Sequence, residues 1–259
     1  MKLLVAVKQV SKLRDGFVLD GSAGVPDDAL EWAPNEWDAF ALEVALRLRE
    51  DARGGELVVA TVGGEEAEES LRAGLAIGAD RAVRVWDPSL LGADPLAIAA
   101  VLAKLAASEQ PDLILCGAQS ADAANAATGL ALAGLLDLPH VAVVSSVERD
   151  GSALIVAREL DGGAVETLRV QLPALLTIQT GANRPRRANL RAIKQAREQP
   201  IQTLAPAALG LGEQELIAAA GARTVRLLEP IRERASMIDG SAIAIAARIA
   251  EIVAAELQA

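Results

Sequence analysis

An α/β fold is predicted for this chain: a parallel sheet with helices on both faces, extended by antiparallel strands and a C-terminal arm. Three observations predict it. Short apolar runs alternate with helical patterns through the first 140 residues. Between 140 and 172 the pattern changes to apolar–polar alternation broken by Asp-Gly and Asp-Gly-Gly turns. Beyond 200 no sustained period survives until a last helical segment. At 259 residues the chain suits one large α/β domain or a domain with an appended piece.

"LLVAVK" (3–8) reads as a buried strand. "PNEWDAFALEVALRLRE" (34–50) reads as the first strong helix, with Asn35 placed to cap it and Trp37, Ala41, Val44, Ala45 and Leu48 at helical spacing. "ELVVATVGG" (56–64) is a strand ending in glycines. The helix after it opens on Glu65 and Glu66, which suit the positive end of the helix dipole, and stops near Gly78. "AVRVW" (82–86) is another short strand, and Asp94-Pro95 is a cap-plus-first-turn signal for a helix through about residue 107. "PDLILCG" (111–117) is a strand, followed by a helix from about 124 to 136. "HVAVVSSVERDG", "ALIVAREL" and "VETLRVQL" are antiparallel strands added to the sheet, and "PALLTI" (173–178) is one more apolar strand. The segment 181–200 is basic, 200–237 reads as a linker or extended arm, and the final helix sets Ile245, Ile249, Ile252 and Val253 on one face.

Composition narrows the function. A formal charge of −10 argues against a general nucleic-acid binder, whose affinity depends on neutralising phosphates. Cys116 is the only cysteine and His140 the only histidine, so an intrachain disulfide, a multi-cysteine metal site and most histidine-based zinc or triad chemistry are excluded. Neither a signal peptide nor a membrane span is evident, and the expected location is cytoplasmic with no membrane insertion. His140, after Pro139, reads as a structural or edge residue, and Cys116 as a small core residue.

Ligands of parallel sheets sit beyond the carboxyl ends of the strands, which here means after Lys8, after Val62 and after Cys116. The third place is "GAQSADAANAATG" (117–129), a run of small residues with one carboxylate and no base. Small residues let backbone N–H groups approach a phosphate, and a helix N-terminus adds a favourable dipole. The same residues also read as a tight strand-to-helix turn. Enzymatic motifs lack parts: there is no P-loop and no Gly-rich dinucleotide fingerprint, and Ser120 has no evident base. The first strand is followed by "KQVSKLRDG" rather than by a Ser-Gly-Gly pyrophosphate loop. Binding without catalysis is the expectation, with no catalytic residue and no metal. The basic cluster of Arg184, Arg186, Arg187, Arg191, Lys194 and Arg197 in an acidic chain points to an interaction surface.

"VARELDGGAVETLRVQLPALLT" (156–177) resembles the signature of the β subunit of electron-transferring flavoproteins, carried by Arg158, Asp161, Gly162, Gly163, Glu166, Leu168, Pro173, Leu175, Leu176 and Thr177. The likeness extends to "LLVAVKQV", to "PNEWDAFALEVALRL" with Glu36 in place of the usual proline, and to "LRAGLAIGADRAVRV". It also covers the 117–129 loop and "ANRPRRANLRAIKQA". The resemblance implies a Rossmann-like fold of the adenine-nucleotide α-hydrolase type. It implies a heterodimer with an α subunit that holds most of one FAD, while this chain buries an AMP of structural role. By matching positions, Ala6, Asn35, Glu36, Trp37, Asp38, Val62, Gly117, Gln119, Ser120, Asp122, Asn125 and Thr128 would line the AMP pocket, and Trp37 would approach the flavin. Leu190 matches the anchor that docks on acyl-CoA dehydrogenases and related flavoenzymes, with Arg184, Arg187, Arg191 and Lys194 steering acidic partners. Electrons would pass onward to a membrane quinone oxidoreductase. The implied division is a nucleotide-binding domain over 1–199, including the docking segment 181–199, and an arm and helix over 200–259 packing on the α subunit.

The loop departs from the family pattern. Ala118, Ala123, Ala124, Ala126 and Ala127 replace a lysine, aspartates and an Asn-Gln pair, leaving Gln119, Asp122 and Thr128. Backbone N–H groups remain to hold a phosphate. The Asp-Gly-Asp-Thr run of members that bind a second FAD and bifurcate electrons is not seen, which favours AMP. A bifurcating member, an empty pocket and a non-catalytic nucleotide-sensing protein of the same fold stay as alternatives.

Overall fold

The computed structural model describes residues 1–16, 25–212, 214–216, 220–222, 225, 227–228 and 235–257. Its elements run β1 (Lys2–Ala6), β2 (Gln9–Leu13), β3 (Leu30–Pro34), α1 (Glu36–Asp51), β4 (Glu56–Val62), α2 (Glu68–Ile77) and β5 (Arg81–Val85). Then come α3 (Pro95–Glu109), β6 (Leu113–Gly117), α4 (Thr128–Leu135), β7 (His140–Asp150), β8 (Ala153–Glu159), β9 (Val165–Gln171) and β10 (Ala174–Ile178). The last are α5 (Leu190–Glu198), β11 (Ile201–Leu204) and α6 (Ala242–Glu256).

Nine strands form one sheet in the order β11-β5-β4-β1-β6-β10-β7-β8-β9, and β2 pairs with β3 in a separate antiparallel ribbon. From β11 through β7 every pairing is parallel, while β7-β8-β9 are antiparallel. The α/β class with added antiparallel strands is therefore observed. The chain leaves β1 toward β4 and β5 on one side, then returns through α3 to β6 on the other. Their outgoing connections part above the C-terminal ends of β1 and β6 and open a crevice there.

The pleat explains the two cores. Leu3, Val5, Leu57, Val59, Leu113 and Leu115 belong to one buried cluster with Ala41, Val44, Ala45 and Leu48 of α1 and Leu71 and Leu75 of α2. Leu4, Val58, Ala60, Ile114 and Leu175, their neighbours along the strands, pack with Val101, Leu102 and Leu105 of α3 and Leu132 of α4. A strand buried on both faces must be apolar at every position, which is why these strands read as continuous runs. With an aromatic fraction of 2%, layers close by small residues: a Cβ on Gly74 of α2 would lie 3.1 Å from Val59 Cγ2.

Four expectations change. The helix expected from about 124 begins at Thr128, so 118–127 is a longer loop than the alanines suggest. Alanine propensity does not start a helix where the chain must first cross the sheet edge. The segment after 200, read as linker or arm, opens with β11 on the edge of the main sheet, paired in parallel with β5. Four residues are too few for a period to show. The ribbon of β2 and β3 was not anticipated. Asn35 occupies the position before α1, yet its side chain makes no capping hydrogen bond. The remainder of 200–237 lies partly outside the described residues. The terminal helix is observed as α6, with no buried residue.

Candidate functional site

The crevice is a cleft of about 410 Å³ over the C-terminal ends of β1, β4 and β6. It gathers Ala6, Asn35, Asp38 and Val62 with Gly117, Gln119, Ser120, Asp122, Asn125 and Thr128. Glu36 and Trp37 are not among its lining residues. Trp37 instead sits against the end of β6, where a Cβ on Gly117 would come within 2.5 Å of the Trp37 Cβ. Its indole Nε1 is buried with no hydrogen-bond partner among the described residues.

Asp38 builds the floor. Its Oδ2 accepts the Lys8 N–H at 2.7 Å and its Oδ1 the Gly117 N–H at 2.9 Å, so one carboxylate ties the ends of β1 and β6. One of those N–H groups lies just past β1 and the other on the last residue of β6, and the carboxylate gives both an acceptor. Burial pushes the Asp38 carboxyl up to about 7, against the opposing pull of the two N–H groups and of Lys8. Asn35 serves the loop rather than its own helix: its Nδ2 donates to Gln119 O at 3.0 Å and its Oδ1 accepts the Ala121 N–H at 3.2 Å. Across the mouth, Lys8 Nζ lies 2.6 Å from Asp122 Oδ1 and 3.3 Å from Ser120 Oγ. Partial burial works to raise the Asp122 carboxyl, but hydrogen bonds from Lys8 and Ser120 outweigh it and hold it below the usual range.

A pH-dependent stability follows from Asp38. A carboxyl whose folded pKa exceeds its unfolded one binds more protons in the native state, so its stabilising contribution is lost as pH rises from about 4 through about 7. Asp38→Asn removes that titration. We expect its destabilisation, read from denaturant unfolding, to be larger at pH 5.5 than at pH 7.5. An equal penalty at both would contradict the assignment.

The second half of the loop is held differently. Ala124 and Ala126 both have φ of 50°, with Asn125 between them outside that region. Alternating the sign of φ turns successive N–H groups toward one side, an arrangement that receives anions. The N–H groups of residues 125–128 have no acceptor among the described residues. They stand where α4 begins, the positive end of its dipole. Gly129 lets that helix seat closely, since a Cβ there would lie 2.7 Å from Cys116 Sγ and 2.8 Å from Thr177 Cγ2.

Sequence reasoning missed Lys8, Trp32, Thr61 and Trp86 as lining residues. Thr61 fixes the β1–β4 end by donating to Val7 O at 2.7 Å. Trp32 of the ribbon and Trp86 just beyond β5 supply aromatic surface, and Leu90, Ile98 and Leu102 extend the apolar side. Cys116 also faces the cleft, but burial and the Asp38 charge push its thiol up to about 12, so it is not a thiolate near neutral pH. His140 is exposed at the start of β7, outside the cleft. Among the described residues there is no cluster able to hold a metal ion, and no helix is long and apolar enough to cross a membrane.

The basic segment is a braced surface element. Arg186 Nε lies 2.8 Å from Glu43 Oε2, and its Nη1 lies 2.7 Å from Glu50 Oε1, both carboxylates on α1. Asn183 Nδ2 donates to Phe40 O at 3.0 Å. Asn189 caps α5 by accepting the Ala192 N–H, and Arg72 of α2 donates to Ala196 O and Gln199 O. Arg186 is thus consumed internally, whereas Arg184, Arg187, Arg191 and Lys194 are exposed and form no ion pair among the described residues. Leu190 stands between them with 86% of its surface exposed.

Residues 24–209 match the family described as "Electron transfer flavoprotein domain". The chain is similar to "Electron transfer flavoprotein subunit beta" of Methylophilus methylotrophus, at 41% identity over 259 residues and 98% of each chain. It is similar to the protein of the same name from Homo sapiens, at 39% identity over 219 residues, 82% of this chain and 84% of the relative. The Bacillus subtilis (strain 168) protein of that name is 34% identical over 242 residues, 93% of this chain and 92% of the relative.

Proposed function

The chain belongs to the electron transfer flavoprotein family as one of its beta subunits, and from that premise we propose that it is the nucleotide-holding, partner-docking half of a heterodimeric electron carrier. The observation that supports this reading is the cleft over β1, β4 and β6, which among the described residues offers groups suited to hold a nucleotide. Its thiol is protonated, its lysine is paired with Asp122, and the one histidine lies elsewhere. The proposed occupant is AMP, its phosphate on the N–H groups of residues 125–128 and its base toward the apolar side. A volume of about 410 Å³ lies toward the low end for small-molecule sites, which favours a mononucleotide over a second FAD.

The electron-storing chemistry is that of an FAD held mainly by the α subunit. Trp37, half-buried at the start of α1, is the residue proposed to meet it from this side. Leu190 and the cations Arg184, Arg187, Arg191 and Lys194 are proposed to dock acyl-CoA dehydrogenases or related flavoenzymes, with electrons leaving toward a membrane quinone oxidoreductase. The exposed apolar residues of α6, Ile243 and Val253 among them, are proposed to pack on the α subunit, with the assembly in the cytoplasm. Co-expression with an electron transfer flavoprotein α subunit should yield a yellow 1:1 heterodimer. A colourless monomer from that co-expression would overturn the proposal.

A further inference from the structure

We infer that Arg72 of α2 is a positioning residue for the flavoenzyme that docks on this chain, because it fixes the direction in which α5 presents Leu190. The inference rests on the docking reading proposed above, with Leu190 as the anchor. α5 packs on α2, yet of its nine described residues only Ala196 is buried. Along the face that carries Ala196, exposure climbs from 2% there to 38% at Ile193 and 86% at Leu190. Residues three apart share a helix face, so α5 lifts off the body toward its N-terminal end, with Ala196 at the pivot and Leu190 at the tip. One buried methyl group touches too few atoms to set the direction of a helix.

Arg72 supplies that direction. Its Nη1 donates to Ala196 O at 2.7 Å and to Gln199 O at 3.0 Å. Both carbonyls stand at the C-terminal end of α5, where no further turn donates to them and where a cation meets the negative end of the dipole. The guanidinium is held in turn. Glu68, one turn earlier on α2, places Oε2 3.6 Å from Arg72 Nη2 and Oε1 3.4 Å from Arg84 Nε. Arg84 is a β5 residue only 8% exposed, so this row of charges starts in the sheet and ends on the docking helix. Asn183 and Arg186 brace the chain ahead of Leu190 and leave the far end of α5 to Arg72. The tip lies six residues from the pivot, about 9 Å along the helix, so a tilt of about 10° would carry Leu190 by about 1.5 Å.

The test uses the complete heterodimer as electron acceptor of an acyl-CoA dehydrogenase held reduced by excess acyl-CoA, with KM for the heterodimer and kcat read separately. Arg72→Gln should raise KM about tenfold and leave kcat within about twofold, because presentation of the anchor changes and the flavin does not. Arg72→Lys returns a cation to the helix end and should bring KM back to within about threefold of the wild type. In a Leu190→Ala background Arg72→Gln should change KM by less than about twofold, since a residue that acts through the anchor has nothing left to aim. Should the Gln variant fail to assemble, Arg72→Met, which keeps the aliphatic stem, takes its place with the same expected values. An unchanged KM in that variant, a loss confined to kcat, a Lys variant no better than Gln, or full additivity with Leu190→Ala each overturns the inference. A Met variant that also fails to assemble makes Arg72 structural and overturns it too. None of these results touches the docking reading. A wild type that takes no electrons from this donor, or a Leu190→Ala complex with the wild-type KM, refutes that reading and the inference with it.

Discussion

Gly117→Ala is expected to destabilise the fold by about 2–3 kcal/mol, near the upper end for overpacking in a close-fitted interior. The added Cβ would lie 2.5 Å from the Trp37 Cβ, 2.6 Å from Asp38 Oδ1 and 2.9 Å from the Trp37 carbonyl carbon. The two Trp37 atoms belong to its Cβ and backbone, and Asp38 Oδ1 is held in place by the Gly117 N–H. Relief requires α1 to move off the end of β6, which breaks the Asp38 tie to the Gly117 N–H. In a chain of this size the penalty corresponds to a melting temperature lower by roughly 5–10 °C. Gly134 is the control: it lies exposed in α4 with nothing within 4 Å of its Cβ position. Gly134→Ala should be neutral or stabilise by about 0.5–1 kcal/mol. Calorimetry in which both variants melt with the wild type would remove the close α1–β6 contact from the account.

The second large effect concerns docking. Leu190→Ala is expected to slow electron acceptance from a flavin dehydrogenase by about tenfold or more, since burying a leucine in a partner contributes roughly 1.5–3 kcal/mol. Flavin content and melting temperature should stay unchanged, because Leu190 is exposed and the segment is braced through Arg186, Asn183 and Ala196 instead. Reversing Arg191 and Lys194 to glutamate should slow association further and weaken its dependence on salt. A Leu190→Ala complex with wild-type reduction rates would contradict the docking role. Loss of flavin in that variant would make the residue structural.

Much of the architecture was legible because fully buried strands have one local signature. "LLVAVK", "ELVVATV" and "DLILCG" are apolar at consecutive positions, and Asp94-Pro95 marks α3 through a cap that the structure contains as the Asp94 acceptor of the Ala97 N–H. From residue patterns alone the site was legible only as a place, and it was the family resemblance that named residues such as Asp38, Ser120 and Asp122 that the cleft gathers. A crevice over β1, β4 and β6 follows from strand order, but the residues that shape it meet across long sequence separations. Lys8 gains its role from Asp122 and Ser120, 114 and 112 residues away, and nothing next to it in the chain signals that. Asn35 looks like a cap because its type and position fit one, yet the loop offers its side chain both a carbonyl and an N–H. Trp32 and Trp86 carry no local sign of a ligand, since an isolated tryptophan beside a strand reads as core. Arg186 is the converse: one of six neighbouring cations by sequence, it is set apart by Glu43 and Glu50 of α1, the first with a side chain only 4% exposed.

The most direct test of the central claim is the nucleotide content of the purified heterodimer, released by heat and resolved by chromatography. The account predicts about one AMP and one FAD per pair of chains. Two FAD without AMP, or FAD with no adenylate beside it, would contradict it.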